Sequence, residues 1–291
     1  MRALPGDIML AASGERPNTM TAEQREMIKH NLGLDRPVYI QYFDWLSNAV
    51  RGDFGVSIFT KRPVLRDVAV RIPRTLELAL TSALLGSVVG ISIGILSALN
   101  SMSWLDVTLN AVLIFLGSLP VYVSGVVLIL VFGLHLGWVP TGGFVEAKEN
   151  LGDHLRLLIL PTLTLAMWLG AVTARMTRST MLEVLNADYV RTAFAKGLSS
   201  RTVYVRHALK NALIPVVTSL GLQVGSLLGG AVFTEMVFTW PGLGLAYVRA
   251  VVNRDFPVIQ GVVVITCSAF ILTNLAVDLI IGIIDPRISY E

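Results

Sequence analysis

Five stretches of this chain, 78–99, 107–134, 157–174, 212–234 and 256–284, carry no charged residue apart from Asp278 in the last. A bilayer core takes about 20 apolar residues per helix. Helices of soluble proteins seldom run that far without a charged face, so the pattern predicts an all-α polytopic membrane protein with spans over these five stretches. Composition agrees: 54% of the 291 residues are hydrophobic, 15% are charged and mean hydropathy is +0.67, which excludes a disordered polymer and argues against a soluble globule. A net charge of only +3, with no basic stripe interleaved with aromatics, argues against a nucleic-acid partner. The single cysteine, Cys267, excludes an intrachain disulfide and a cysteine-cluster metal site, and reads as a small core hydrophobe.

Loop charges set the expected orientation. The segment 175–213 carries seven basic residues (Arg175, Arg178, Arg191, Lys196, Arg201, Arg206, Lys210) against Glu183 and Asp188, which places it in the cytoplasm. Segments 135–156 and 235–255 carry two each and fall outside. Parity then puts 100–106 and the tail from 285 inside and residues 1–77 outside. The 11 Lys and Arg of 1–77 run against that assignment, but long segments cross largely regardless of charge. An external amino-terminal segment of this kind needs a carrier, and no apolar run precedes it. The expectation is a first span belonging to a longer natural product, or else a span 78–99 that acts as a reverse signal anchor.

Within 1–77, Thr21-Ala-Glu-Gln24 reads as a capping box for a helix ending near Gly33. A second helix, 38–50, sets Tyr39, Tyr42, Phe43 and Leu46 at helical spacing with Trp45 alongside, suited either to the headgroup region or to packing on the spans. Small residues recur every fourth position at Ser82, Gly86, Gly90, Gly94 and Ala98, at Gly221, Gly225 and Gly229, and at Ala166, Gly170 and Ala174. Such stripes let helices approach closely in lipid, inside a bundle or against a second one. Pro120 predicts a kink after Ser118, a matter of shape or a hinge. Asp278, on a polar stripe with Asn274 and Gly282, reads either as a paired or snorkelled acid near Arg287 or as a proton site.

The cytoplasmic loop, 176–211, is the most informative part. It reads as a helix closed at Gly197, a turn with Ser199 or Ser200 as N-cap, and a second helix running to the membrane at Pro215. Two short helices hinged at a glycine are a docking device, or a loop held by positive-inside topology alone. No Gly-x-x-x-x-Gly-Lys-Ser/Thr, His-Glu-x-x-His, Gly-x-Ser-x-Gly or Cys/His cluster appears, and His30, His135, His154 and His207 lack ligand spacing.

Thr192-Ala-Phe-Ala-Lys-Gly197 resembles the Glu-Ala-Ala, two residues, Gly motif of binding-protein-dependent permeases of ATP-binding-cassette importers, with Thr192 in place of the Glu and Phe194 in place of the second Ala. Asp188-Tyr-Val-Arg-Thr-Ala through Gly197-Leu-Ser and Arg206-His-Ala-Leu-Lys-Asn-Ala-Leu-Ile-Pro215 look like the dipeptide and oligopeptide branch, which also takes in nickel and glutathione importers. Leu4-Pro-Gly-Asp7, Leu32-Gly-Leu-Asp-Arg-Pro37, Arg51-Gly-Asp-Phe-Gly55, Thr75-Leu-Glu77, Trp240-Pro-Gly-Leu-Gly244, Arg254-Asp-Phe-Pro257 and Asp285-Pro-Arg287 are similar to that branch's first permease subunit.

The resemblance implies six spans with the first missing here, an external segment 1–74, a permease domain 75–285 and a cytoplasmic tail 286–291. It implies a second homologous permease, two ATPase subunits holding ATP and Mg, and an extracytoplasmic binding protein docking on 1–77 and 235–257. Asp188, Ala193, Phe194, Gly197, Leu198, Arg206 and His207 are then the candidate residues coupling the loop to an ATPase. The competing class is a self-sufficient secondary transporter, which would need intramembrane charge pairs or an internal repeat.

Overall fold

The computed structural model describes Glu23 and residues 36–284, the side chains of 228–230, 278 and 280–284 apart. The expected helix over 21–33, the motifs before Arg36 and the tail 286–291 lie outside the described residues. In chain order the helices are α1 Val38–Val50, α2 Val64–Ala69, α3 Ile72–Leu99, α4 Trp104–Ser118, α5 Val121–Leu128, α6 Leu151–Leu185, α7 Asp188–Ala195, α8 Lys210–Gly230, α9 Val232–Val237, α10 Leu243–Val252 and α11 Phe256–Ile284. π-helical turns extend α5 over Ile129–His135, and a turn at Ser200–Thr202 followed by π-helical Val203–Leu209 leads into α8.

Among the described residues, three helical stretches, Val64–Leu99, Leu151–Leu185 and Phe256–Val277, are long and apolar enough to cross a membrane. Over the expected span 107–134, α4 and α5 meet at a 105° bend. Pro120 has no N–H to donate and forces Leu119 into an extended conformation, φ −71° and ψ 128°. The Ser118 hydroxyl turns back to the carbonyls of Ile114 and Phe115. The kink is therefore a break. The stretch 212–234 is divided between α8 and α9 at Ala231.

The described residues divide into two compact units, those within 36–74 with 241–267, and those within 75–240 with 268–284. In the first, Asp255 is buried and gathers the loop after α1: Ser57 Oγ donates to it at 2.5 Å and the Ile58 amide at 3.1 Å. Val64, Val68, Leu243 and Val262 form the core of this unit, with Phe54 and Tyr247 packed on it. Two motifs far apart in sequence, 51–55 and 254–257, thus build one body. Helix α1 buries no residue of its own, and Tyr39, Tyr42 and Phe43 stand exposed on it.

In the second unit the small-residue stripes find each other. A Cβ placed on Gly90 would stand 2.7 Å from the carbonyl oxygen of Gly170, and one on Gly94 would stand 2.6 Å from both the Ala174 carbonyl oxygen and Thr177 Cβ. At Gly86 the obstacles are Leu169 and the Ala166 carbonyl. Stripes 82–98 and 166–174 are therefore two sides of one contact between α3 and α6. Gly221 and Gly225 meet Val277 and Asn274 of α11, while Gly229 falls where side-chain surroundings are not described. Leu78, Leu165, Leu169, Leu227 and Trp240 fill the core around this contact.

At the amino-terminal end of α6, His154 is buried between Phe144 and Trp240, whose rings meet edge to face with centroids 4.9 Å apart. Its Nδ1 lies 2.7 Å from the Val145 carbonyl and its Nε2 lies 2.7 Å from Glu77 Oε1. A carbonyl only accepts, so Nδ1 carries a proton. The second contact then needs another proton, on Nε2 or on the carboxyl. The pair joins α3 to α6.

Gly94→Ala is expected to lower stability by about 1–3 kcal/mol, because a backbone carbonyl cannot step aside. Gly117→Ala, whose Cβ would meet Ala171 at an ordinary 3.5 Å, should change it far less. Thermal unfolding of the two purified variants checks this.

Candidate functional site

The loop between α6 and α8 is a small folded body. Gly197 has φ +75°, a conformation that costs an L-residue about 1–2 kcal/mol, and it ends α7 in a Schellman turn. The Gly197 amide donates to the Phe194 carbonyl at 2.9 Å and the Leu198 amide to that of Ala193 at 3.4 Å. Ser199 caps the next turn, its Oγ accepting from the Thr202 amide. Val190, Ala193 and Val203 pack together with Val184 and Leu185 of α6, so the loop is anchored to the end of that helix. A second seam, Ala98, Met181, Ala208 and Ala212, ties the following turns to α3 and α6.

The candidate residues separate by exposure. Phe194 and Leu198 are 41% and 39% exposed around the glycine turn, and the Phe194 ring lies edge to face with Tyr204. Ala193 is buried in the loop's own seam, where it packs instead of meeting solvent. Asp188 opens α7 fully in water, 3.7 Å from Arg191. Arg206 is exposed and His207 half-buried. The His207 carbonyl accepts from Asn211 at 3.2 Å, and Asn211 also donates to the Tyr189 hydroxyl at 2.9 Å. Tyr189 and Val205, both exposed, are apolar surface that the sequence reading did not single out.

That reading also missed an ion pair about two turns before the end of α6. Asp106, buried at the start of α4, takes a fork from Arg178 of α6: Nε to Oδ1 and Nη2 to Oδ2, each at 2.7 Å. Ser97 Oγ of α3, the Met102 amide at 3.0 Å and Asn110 Nδ2 at 2.7 Å donate to the same carboxylate. A local signal was present. Ser103 is an N-cap for α4, its Oγ accepting from the Asp106 amide at 3.2 Å. The partner lies 72 residues away, and nothing local names it.

In the bundle, Asn274 Oδ1 and Gln223 Oε1 are buried without a hydrogen-bond partner among the described residues. The side chain of Asp278 is outside the description. Among the described residues no group of three or more His, Cys, Asp or Glu is arranged to hold a metal ion.

A bundle of long apolar helices, with a pair bent at a proline and a folded loop carried on the longest helix, is the architecture of a polytopic membrane protein. Comparison with known proteins names its kind. Residues 90–290 match the binding-protein-dependent transport system inner membrane component family, and residues 1–79 match the amino-terminal domain of such components. The chain belongs to this family and is a transmembrane permease subunit of an ABC importer. It is 42% identical over 288 residues to the glutathione transport system permease protein GsiC of Escherichia coli (strain K12), covering 99% of this chain and 90% of that protein. It is 42% identical over 296 residues to the oligopeptide transport system permease protein AppB of Bacillus subtilis (strain 168), covering 100% and 92%. Among solved structures, an inward-facing MetNI methionine ABC transporter chain superposes with a TM-score of 0.63 at 19% identity, over 75% of this chain and 96% of that one. An amino acid ABC transporter chain gives 0.55 at 14%, over 77% and 94%. These two likenesses establish the fold.

Proposed function

We propose that this permease forms half of a translocation pathway for short peptides, with a second homologous permease as the other half and two ATPase subunits binding ATP and Mg as the motor. The substrate class rests on the relatives: one is named for oligopeptides and another for glutathione, itself a tripeptide. The observation that carries the coupling role is the Gly197 turn, where Phe194 and Leu198 stay exposed on a body anchored to α6. Apolar side chains around a glycine turn serve no topological purpose, whereas the basic residues nearby suit lipid phosphates. A groove on an ATPase subunit would cover them.

In this reading the loop faces the cytoplasm and residues 1–77 face outward. A substrate-loaded binding protein docks on segments 36–74 and 241–257, which Asp255 and the Val64 core hold together as one surface. The chain itself performs no chemistry; nucleotide hydrolysis belongs to its partners.

The test is a loop variant in the co-expressed complex. Phe194→Asp with Leu198→Asp is expected to leave the protein inserted in the membrane, to abolish copurification of the ATPases and to cut import by about tenfold or more, as loss of an interface centre does. Gly197→Glu should act in the same direction. ATPases that copurify normally with the double variant, together with undiminished import, would remove the docking assignment.

A further inference from the structure

We infer that Asp106 and Arg178 are positioning residues that lock the loop-bearing end of α6 to the turn between α3 and α4, so that a displacement of the loop carries the three helices as one body. The inference rests on the coupling role proposed above and specifies how a movement of the loop reaches the spans.

Five hydrogen bonds converge on the Asp106 carboxylate, from Arg178 Nε and Nη2, Ser97 Oγ, the Met102 amide and Asn110 Nδ2. They come from α3, the turn, α4 and α6, so this one carboxylate addresses every element that meets there. Asp106 is 4% exposed at its side chain and Arg178 27%. An arginine kept only for topology would reach out to lipid phosphates. This one is turned inward, in a two-point fork that fixes direction as well as distance.

Position along α6 gives the pair its consequence. Arg178 follows directly on Thr177, the last residue in the Gly94 contact, and lies about 10 Å before the end of the helix at 1.5 Å per residue. The glycine face sets how closely α3 and α6 approach, but contacts between carbon atoms resist sliding weakly. The charged fork is the directional element nearest the loop.

The turn itself is held in an unfavourable shape. Met102 has φ +64°, although it is not glycine and its side chain is exposed, and its amide is bonded to Asp106. The surroundings therefore dictate the turn. Buried ion pairs contribute little to stability compared with apolar residues of similar volume. Fixing the geometry is the role left to this one.

Distances measured in the complete complex with its ATPases test the inference. Spin labels at Met102→Cys on the turn and Glu183→Cys on the last turns of α6, both exposed sites, in a Cys267→Ser background, report whether the two move together. With the pair intact, trapping the ATPases with ATP and vanadate should leave the distance between labels unchanged. In Asp106→Asn and in Arg178→Gln it should shift by about 2 Å or more, the scale of helix displacements in switching proteins, or broaden to that extent. If an unpaired buried charge prevents assembly, the double variant Asp106→Leu with Arg178→Met removes both charges and should give the same shift. Arg178→Lys, which keeps the charge and loses the fork, should fall between.

An equal distance before and after trapping in both parent and variants, or a shift already present in the parent, overturns the inference. Failure of the ATPases to copurify with the labelled parent complex would instead strike the coupling role on which it rests.

Discussion

Two helices in lipid gain nothing from hiding apolar side chains against each other, because the lipid tails are as apolar as leucine. What α3 and α6 gain is contact between backbones, and only residues without a bulky Cβ permit it. Gly86, Gly90 and Gly94 face the Ala166, Gly170 and Ala174 carbonyls at distances where any added carbon would collide. Everything of functional interest in this unit is placed by that approach. At one end of α6 His154 reaches Glu77 of α3; at the other Arg178 reaches the turn that follows α3, and the loop body continues from there.

The long helix α6 carries the loop body at its end. At 35 residues and 1.5 Å rise it spans about 50 Å, more than a bilayer core requires. α7 follows directly on its end. The broken span α4–α5 contrasts with it. Pro120 cuts the intrahelical bonding where α6 continues through Pro161, since Pro120 follows an extended residue and Pro161 sits in a helix braced by neighbours.

What could be seen before the fold was known follows from how far each signal reaches along the chain. Small residues at every fourth position, a glycine after a helical run and a serine before the next are local patterns, so the stripes and the loop's architecture were legible. Which stripe meets which depends on residues 80 apart, as Gly90 and Gly170 are, and no spacing encodes it. The ion pair was hidden for the same reason: Arg178 looked like one more basic residue at a membrane border, and Asp106 like a turn residue. Ala193 was chosen for its place in a motif, yet a small residue in a two-helix loop is also what a tight internal seam requires. The proline break was underestimated as a kink. A single proline bends a helix or ends it according to the residue before it, and the conformation of Leu119 is set by the fold.

The whole account holds that this chain is a conduit with no motor of its own, moved through one loop by partners that hydrolyse nucleotide. Uptake into sealed proteoliposomes measures that most directly, comparing the chain alone, the paired permeases, and the complete complex with its binding protein and ATPases, each offered a labelled oligopeptide mixture. Accumulation above the external concentration should occur only with the complete complex and ATP. Uphill accumulation by the chain alone, or by the permeases without nucleotide, would contradict it.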